Sequence, residues 1–199
     1  KFLQVSVGFG GSCFQKDILN LVYIAKSLGL NEVAQYWHQV ILMNNHQRER
    51  FAKNIIKTLY STVSGKTIAF FGWAFKKDTN DTRESAAIYV ADLLMDEQAI
   101  IKVYDPKVTA TQMQSDLNYL KSRSEKENSN YLKTQNDPYT AVEGAHAVAV
   151  LTEWDEFKTF DWRRIYNSMQ KPAFVFDGRN ILNQSHLEEI GFIYTGIGF

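Results

Sequence analysis

Eleven residues near the start of the chain, Val7-Gly8-Phe9-Gly10-Gly11-Ser12-Cys13-Phe14-Gln15-Lys16-Asp17, bring together three glycines, the only cysteine, a lysine and an aspartate. Apolar residues Ile18, Leu19, Leu21, Val22, Ile24, Ala25 and Leu28 then recur at helical spacing. The pattern predicts a helix over 12–28, with Ser12 as N-cap and Cys13 in the first turn. Free N–H groups and the helix dipole favour an anion there, so the position suits a thiolate nucleophile. Glycines at 8, 10 and 11 permit positive φ and close approach to a ligand. Together these features point to a covalent nucleophile beside a bound molecule. The same residues are also compatible with a small buried thiol, a plain turn, and solvated charges at Lys16 and Asp17.

Three further clusters each follow an apolar run. Gly72 to Ser85 comes after Thr67-Ile68-Ala69-Phe70-Phe71 and supplies the cations Lys76, Lys77 and Arg83 and the ring of Phe75. Thr82 or Asp81 can cap a helix starting near Arg83. The stretch is neither G-x-G-x-x-G nor a Walker A sequence. It reads as a phosphate loop or as a charged, solvated one. Asp177-Gly178-Arg179-Asn180 offers a guanidinium for a phosphate or for sugar hydroxyls, or an Arg–Asp pair within a turn. At Tyr104-Asp105-Pro106, Asp105 either accepts from a ligand or starts the turn. Histidines 38, 46, 146 and 186 show no metal-ligand spacing, and no serine triad can be assembled.

The elements that position these clusters follow from pattern. Residues 1–7 read as an extended lead-in, and Gly29 ends the first helix. A second helix, capped by Asn31, carries an apolar stripe to about residue 61, interrupted by Asn44-Asn45-His46-Gln47. Its length suits a helix that joins two domains or forms a subunit interface, as well as an ordinary amphipathic one. After Ser64-Gly65-Lys66, strands at 67–72, 99–104, 146–151, 173–176 and 192–195 alternate with helices at 85–96, 109–117, 138–144, 161–169 and 185–190. Residues 118–137 read as a surface loop. Such alternation predicts an α/β fold with a parallel, doubly wound sheet, whose ligands bind beyond the carboxyl ends of the strands.

Bulk properties narrow the function. Lys+Arg and Asp+Glu both total 22, which argues against nucleic acid or an anionic membrane as partner. A single cysteine excludes an internal disulfide framework and suits a reducing, cytoplasmic location. No run of 18 or more apolar residues exists. The chain begins with Lys1, and its expected nature is a C-terminal piece of a longer protein.

Five stretches together resemble the family of NAD-dependent nucleotide-sugar dehydrogenases, and within it those acting on UDP-glucose. They are VGFGGSCFQKD (Val7 to Asp17), FKKDTNDTRES (Phe75 to Ser85), YDPKV (Tyr104 to Val108), LTEWDEF (Leu151 to Phe157) and KPAFVFDGRN (Lys171 to Asn180). The resemblance implies oxidation of the C6 hydroxyl to a carboxylate in two NAD+-dependent steps. Cys13 would form a thiohemiacetal and then a thioester, with Asp17 assisting its hydrolysis. Cys13, Phe14, Gln15, Lys16 and Arg83 would face NAD. Phe2, Ser6, Val7, Gly8, Phe9, Gly10, Phe75, Lys76 and Arg179 would hold the nucleotide sugar.

In that family's architecture, residues 1–63 are the later part of an all-helical central region. Residues 64–199 are a Rossmann-like UDP-binding domain, and the N-terminal NAD-binding domain is absent. The fragment alone is expected to be inactive, and the helix 31–61 to join a homodimer or dimer-built hexamer. Gln4, Trp73 and Asn80 depart from the family pattern; the first implies that a lysine contact at its position is missing, and the other two imply a different local shape for the loop at 72–85. Other readings are a dehydrogenase of GDP-mannose or UDP-N-acetylmannosamine, or a non-catalytic UDP-binding or assembly module.

Overall fold

A computed structural model describes residues 4–198 of the chain. Phe2, expected beside the ligand, lies outside the described residues, as does much of the expected lead-in. The rest of that lead-in forms no strand. Helix α1 (Ser12–Ser27) and helix α2 (Asn31–Thr58) pack through Ile18, Val22, Ala25, Ala34 and Ile41. Gly29, at φ 75°, donates its N–H to the Lys26 carbonyl at 3.0 Å and ends α1 as the sequence predicts.

Both expected caps are displaced by one residue. Gly11 occupies the N-cap of α1 at φ 87°, and Ser12 is already helical. A left-handed residue is required there, which glycine adopts without the penalty a Cβ would bring. At α2 the cap is Leu30, which makes no side-chain capping bond, so Asn31 is helical too. Tyr60 and Ser61, both at positive φ, turn the chain away after Thr58, short of the expected 61.

The sheet is entirely parallel. Its strands are β1 (Thr67–Phe71), β2 (Ile100–Tyr104), β3 (Leu132–Thr134), β4 (Ala147–Val150), β5 (Phe174–Asp177) and β6 (Ile193–Gly196), in the spatial order β3-β2-β1-β4-β5-β6. Ile68 registers against Ile101 on one side and Ala147 on the other. Crossovers run through α3 (Ala86–Asp96), α4 (Ala110–Leu120), α5 (Glu125–Tyr131), α6 (Pro138–Val142), α7 (Trp162–Ser168) and α8 (Gln184–Ile190). The strand order reverses direction between β1 and β4, where open α/β sheets bind ligands. Ile68, Ala69, Phe70 and Phe71 are buried on both faces, which is why β1 reads as an unbroken apolar run.

Two expectations are corrected. The helix after Arg83 is not capped by Thr82 or Asp81. Ser85 is its cap, accepting from the Ala87 N–H at 3.3 Å. Nor is 118–137 a loop, since α4 runs on to Leu120 and α5 and the edge strand β3 follow. The α5 turn is held by polar contacts, not by an apolar face. Ser124 and Glu127 form a reciprocal capping box, Arg123 pairs with Asp92 and Asp96, and buried Asn128 donates to Asn118 at 2.9 Å.

The C-terminal half of α2 belongs to the sheet's core, with Phe51, Ala52, Ile55 and Leu59 packed in the same cluster as β1. Its packing therefore crosses the expected boundary at 63/64. Truncating Ile55 to alanine is expected to cost about 2–5 kcal/mol.

Candidate active site

The polar interruption of α2 is where that helix meets the glycine loop. Asn44 accepts from the Phe9 N–H at 2.8 Å and donates to the Phe9 carbonyl at 3.1 Å. One turn on, Arg48 Nη2 donates to the carbonyls of Phe9 at 3.0 Å and Glu84 at 2.9 Å. Its guanidinium lies 4.1 Å from the Tyr89 ring centroid, and the side chain is buried. Burial pushes the Arg48 guanidinium below its ordinary value, opposed by Tyr89 and Glu84. A buried arginine that spans two carbonyls ties the glycine loop to the loop after β1.

That tie is reinforced from the loop itself. Gly11 N–H donates to the Arg83 carbonyl at 2.9 Å. A Cβ on Gly10 would come within 2.7 Å of Phe75 Cβ and 2.8 Å of the Glu84 carbonyl, so the two segments touch backbone to side chain. Gly10 lacks the expected positive φ, so close approach is what requires glycine there. Phe9 meets Phe14 edge-on at 4.7 Å, bracing the loop against the start of α1.

The cysteine sits just past this junction. Cys13 is exposed in the first turn of α1. Lys16 and Asp17, also exposed, lie 3.8 Å apart on the same helix, and Gln15 is half-buried. Arg83 forks onto Asp81, with Nε to Oδ1 at 3.0 Å and Nη2 to Oδ2 at 2.7 Å. Asp81 holds the Arg83 guanidinium above its ordinary value, and Cys13 adds a smaller contribution of the same sign. The Gly11–Arg83 backbone bond brings the start of α1 against the loop that carries Arg83.

On the sheet side, Arg179 Nη1 donates to Ser6 Oγ at 2.7 Å, and Ser6 Oγ donates to the Gly8 carbonyl at 2.7 Å. Arg179 Nη2 pairs with Glu153 at 2.7 Å. Burial lowers the Arg179 guanidinium, against Glu153 and then Asp177. Lys76 is exposed, with Nζ 5.2 Å from the Phe75 ring centroid. Buried Val7 fits against Gly178, where a Cβ would meet Val7 Cγ2 at 2.4 Å. The structure thus gathers Ser6 to Gly10, Phe75 and Arg179 around one junction, with Cys13 at its rim.

Other candidate groups are committed elsewhere. Lys77 pairs with Asp155 at 2.5 Å, and the Arg83 guanidinium is taken by Asp81, which leaves Lys76 as the cation of that loop without an ion pair among the described residues. Asp105 is the turn-former of the two readings offered for it. Its Oδ2 accepts from Trp73 N at 2.7 Å, Ala74 N at 3.0 Å and Trp154 Nε1 at 3.1 Å, and its Oδ1 from Lys107 N and Val108 N at 2.9 and 3.0 Å. Asp177 is likewise spent on the backbone N–H groups of Arg179, Ile181 and Leu182. Trp73 is fully buried, and its indole N–H donates to Asp116 at 2.9 Å. Asn44, Arg48 and Glu153 were not among the expected site residues. The one signal for the first two is the polar break in the stripe of α2.

Residues 69–184 match the model of the UDP-glucose/GDP-mannose dehydrogenase family, UDP binding domain, and residues 1–46 match that family's central domain. The chain is 56% identical to UDP-glucose 6-dehydrogenase of Caenorhabditis elegans over 198 residues, covering 100% of this chain and 41% of that protein. It is 54% identical to UDP-glucose 6-dehydrogenase of Pongo abelii over 200 residues, covering 100% and 40%. It also superimposes on the solved structure of a UDP-glucose dehydrogenase from Pyrobaculum islandicum with a TM-score of 0.70 at 26% identity, covering 98% of this chain and 39% of that one. The chain therefore spans about two fifths of the length of the curated relatives it matches.

Proposed function

The chain belongs to the UDP-glucose/GDP-mannose dehydrogenase family, and from that premise we propose that it forms the nucleophile-bearing and nucleotide-binding part of an NAD-dependent UDP-glucose 6-dehydrogenase, which converts UDP-glucose to UDP-glucuronate. The observation that carries this reading is the junction itself. The loop leading to Cys13 is hydrogen-bonded to the loop after β1 and to Arg179 after β5, so the thiol stands beside the strand ends that suit a nucleotide.

In this reading Arg179 and Lys76 address the nucleotide sugar as cations, Phe75 contacts it, and Ser6 to Gly10 line it with backbone groups. Phe2 belongs to the same set. Cys13 adds to the C6 aldehyde; a new C–S bond forms as the carbonyl oxygen takes a proton, giving a thiohemiacetal. After the second oxidation the carbon is a thioester on Cys13. Asp17, one helical turn from Cys13, orients a water molecule that cleaves the C–S bond, releasing the carboxylate and returning the thiol. Cys13, Lys16 and Arg83 present an exposed edge, which fits a cofactor approached from outside these residues, with Phe14 and Gln15 beside it. When bound there, NAD+ supplies hydride acceptance at both oxidation levels.

Residues 1–63 act as part of a central helical region and 64–199 as the UDP-binding domain. Helices α1 and α2 expose Tyr23, Tyr36 and Met43, and the turn between them exposes Leu28, which supports a homodimer or a hexamer built from dimers through the long helix. A cytoplasmic location accords with this chemistry.

The test is labelling of Cys13 with iodoacetamide in the full-length protein. Fast labelling slowed by UDP-glucose supports the proposal. A thiol that is inert with and without UDP-glucose refutes it in favour of a nucleotide-binding module.

A further inference from the structure

Four consecutive side chains after β4 reach all three clusters at the strand ends. Thr152 Oγ1 donates to the Ala74 carbonyl at 2.6 Å, Glu153 pairs with Arg179 at 2.7 Å, Trp154 Nε1 donates to Asp105 at 3.1 Å, and Asp155 pairs with Lys77 at 2.5 Å. The topology explains the reach. In the sheet β4 lies between β1 and β5, so the segment leaving it is flanked by the loops leaving both. Trp154 reaches Asp105, which follows β2, two strands away from β4 in the sheet.

Of the four, Glu153 is the one that pairs with a side chain assigned above to the nucleotide sugar, Arg179. We propose that Glu153 is a positioning residue for nucleotide recognition, holding Arg179 in the orientation that addresses the ligand. This inference rests on the function proposed above. Arg179 has a long side chain that loses considerable rotamer freedom when fixed, so something must fix it before a ligand arrives. Ser6 Oγ accepts a hydrogen bond from Nη1, and Glu153 Oε2 lies 2.7 Å from Nη2 as an ion pair without hydrogen-bond geometry. Asp177 cannot serve instead. Its Oδ1 accepts from the Arg179 N–H, and its Oδ2 accepts from Ile181 N, Leu182 N and the Tyr194 hydroxyl. Among the described residues Glu153 is the carboxylate paired with this guanidinium. Its removal has two opposing effects on an anionic ligand: repulsion is relieved, and the guanidinium loses its anchor. The pair is close and largely shielded from water, so Glu153 already has its charge balanced by Arg179, and loss of the anchor dominates.

The experiment is a double-mutant cycle in the full-length protein, reading UDP affinity by calorimetry and UDP-glucose oxidation by NADH formation. Glu153→Gln is expected to weaken UDP binding about tenfold, and in an Arg179→Gln background to change it less than about twofold. Its effect on turnover is expected in KM, with kcat held within about twofold. An equal loss in both backgrounds, wild-type affinity in Glu153→Gln, or tighter binding overturns the proposal. Glu153→Asp keeps the charge one methylene shorter and replaces Glu153→Gln in the cycle if the latter does not fold; wild-type affinity there overturns it equally. If the wild-type full-length protein itself fails to bind UDP, the proposed function is what fails.

Discussion

Arg179 donates a hydrogen bond to Ser6 Oγ at 2.7 Å, joining residues 173 positions apart in the chain. Through Ser6 the contact continues to the Gly8 carbonyl at 2.7 Å. A cation at the end of β5 is thus continuous with the loop that leads into α1 and Cys13. In the proposed function, nucleotide recognition and sugar chemistry share this polar junction.

Arg48 is the first support to test. Its Nη2 bridges Phe9 and Glu84 carbonyls inside a buried setting. Arg48→Ala leaves both carbonyls and the Glu84 carboxylate without this partner, and urea unfolding is expected to show a loss of about 3–5 kcal/mol. Arg48→Lys keeps the charge but not the planar fork, and is expected to cost about 1–3 kcal/mol.

Gly10 tests the close approach. Alanine there would place Cβ 2.7 Å from Phe75 Cβ and 2.8 Å from the Glu84 carbonyl, so a loop must move. In the full-length protein Gly10→Ala is expected to lower kcat/KM for UDP-glucose by about a hundredfold, because small misplacements near reacting atoms are costly. Gly29→Ala, where a Cβ meets nothing within 4 Å at φ 75°, is expected to cost about 1 kcal/mol of stability and leave kcat/KM within about twofold.

Much of this arrangement is legible in the residues. The apolar runs at 67–71 and 147–150 announce buried parallel strands, and VGFGGSCFQKD announces its own loop and helix start. What stays hidden has physical causes. Strand β3 is three residues long and buries only Leu132 as it pairs with β2, and α5 is held by Arg123, Asn128 and the Ser124–Glu127 box; the S-x-x-E spacing is visible, but apolar periodicity does not reveal it. Asn44 and Arg48 look like a defect in a stripe because their partners are backbone atoms from Phe9 and Glu84, which no local pattern encodes. Glu153 is hidden for the same reason, since its partner comes from a different strand end.

Asp105 is expected to act on stability alone. Its carboxylate accepts from five N–H groups, and an asparagine would turn at least one acceptor into a donor facing them. Asp105→Asn is expected to lower unfolding free energy by about 2–4 kcal/mol in chemical denaturation, with UDP affinity of the folded protein within about threefold of wild type.

His146 gives the chain an acid sensitivity. Its Nδ1 accepts from the Thr67 N–H at 3.2 Å, and burial holds the imidazole below its ordinary 6.5. A group whose folded value is depressed binds more protons when unfolded, so its contribution is complete above 6.5 and falls as pH drops through the folded value. Between about pH 7.5 and pH 5.5 wild-type Tm is expected to fall further than that of His146→Asn, whose amide oxygen can still accept. Equal losses in the two proteins would contradict this.

The thiol decides the account. Full-length protein carrying Cys13→Ser, given UDP-glucose and NAD+, is to be assayed for UDP-glucuronate. The account predicts formation below about 1% of the wild-type rate, because an alcohol at that position is a far weaker nucleophile toward the aldehyde. UDP-glucuronate made by Cys13→Ser at the wild-type rate would contradict it.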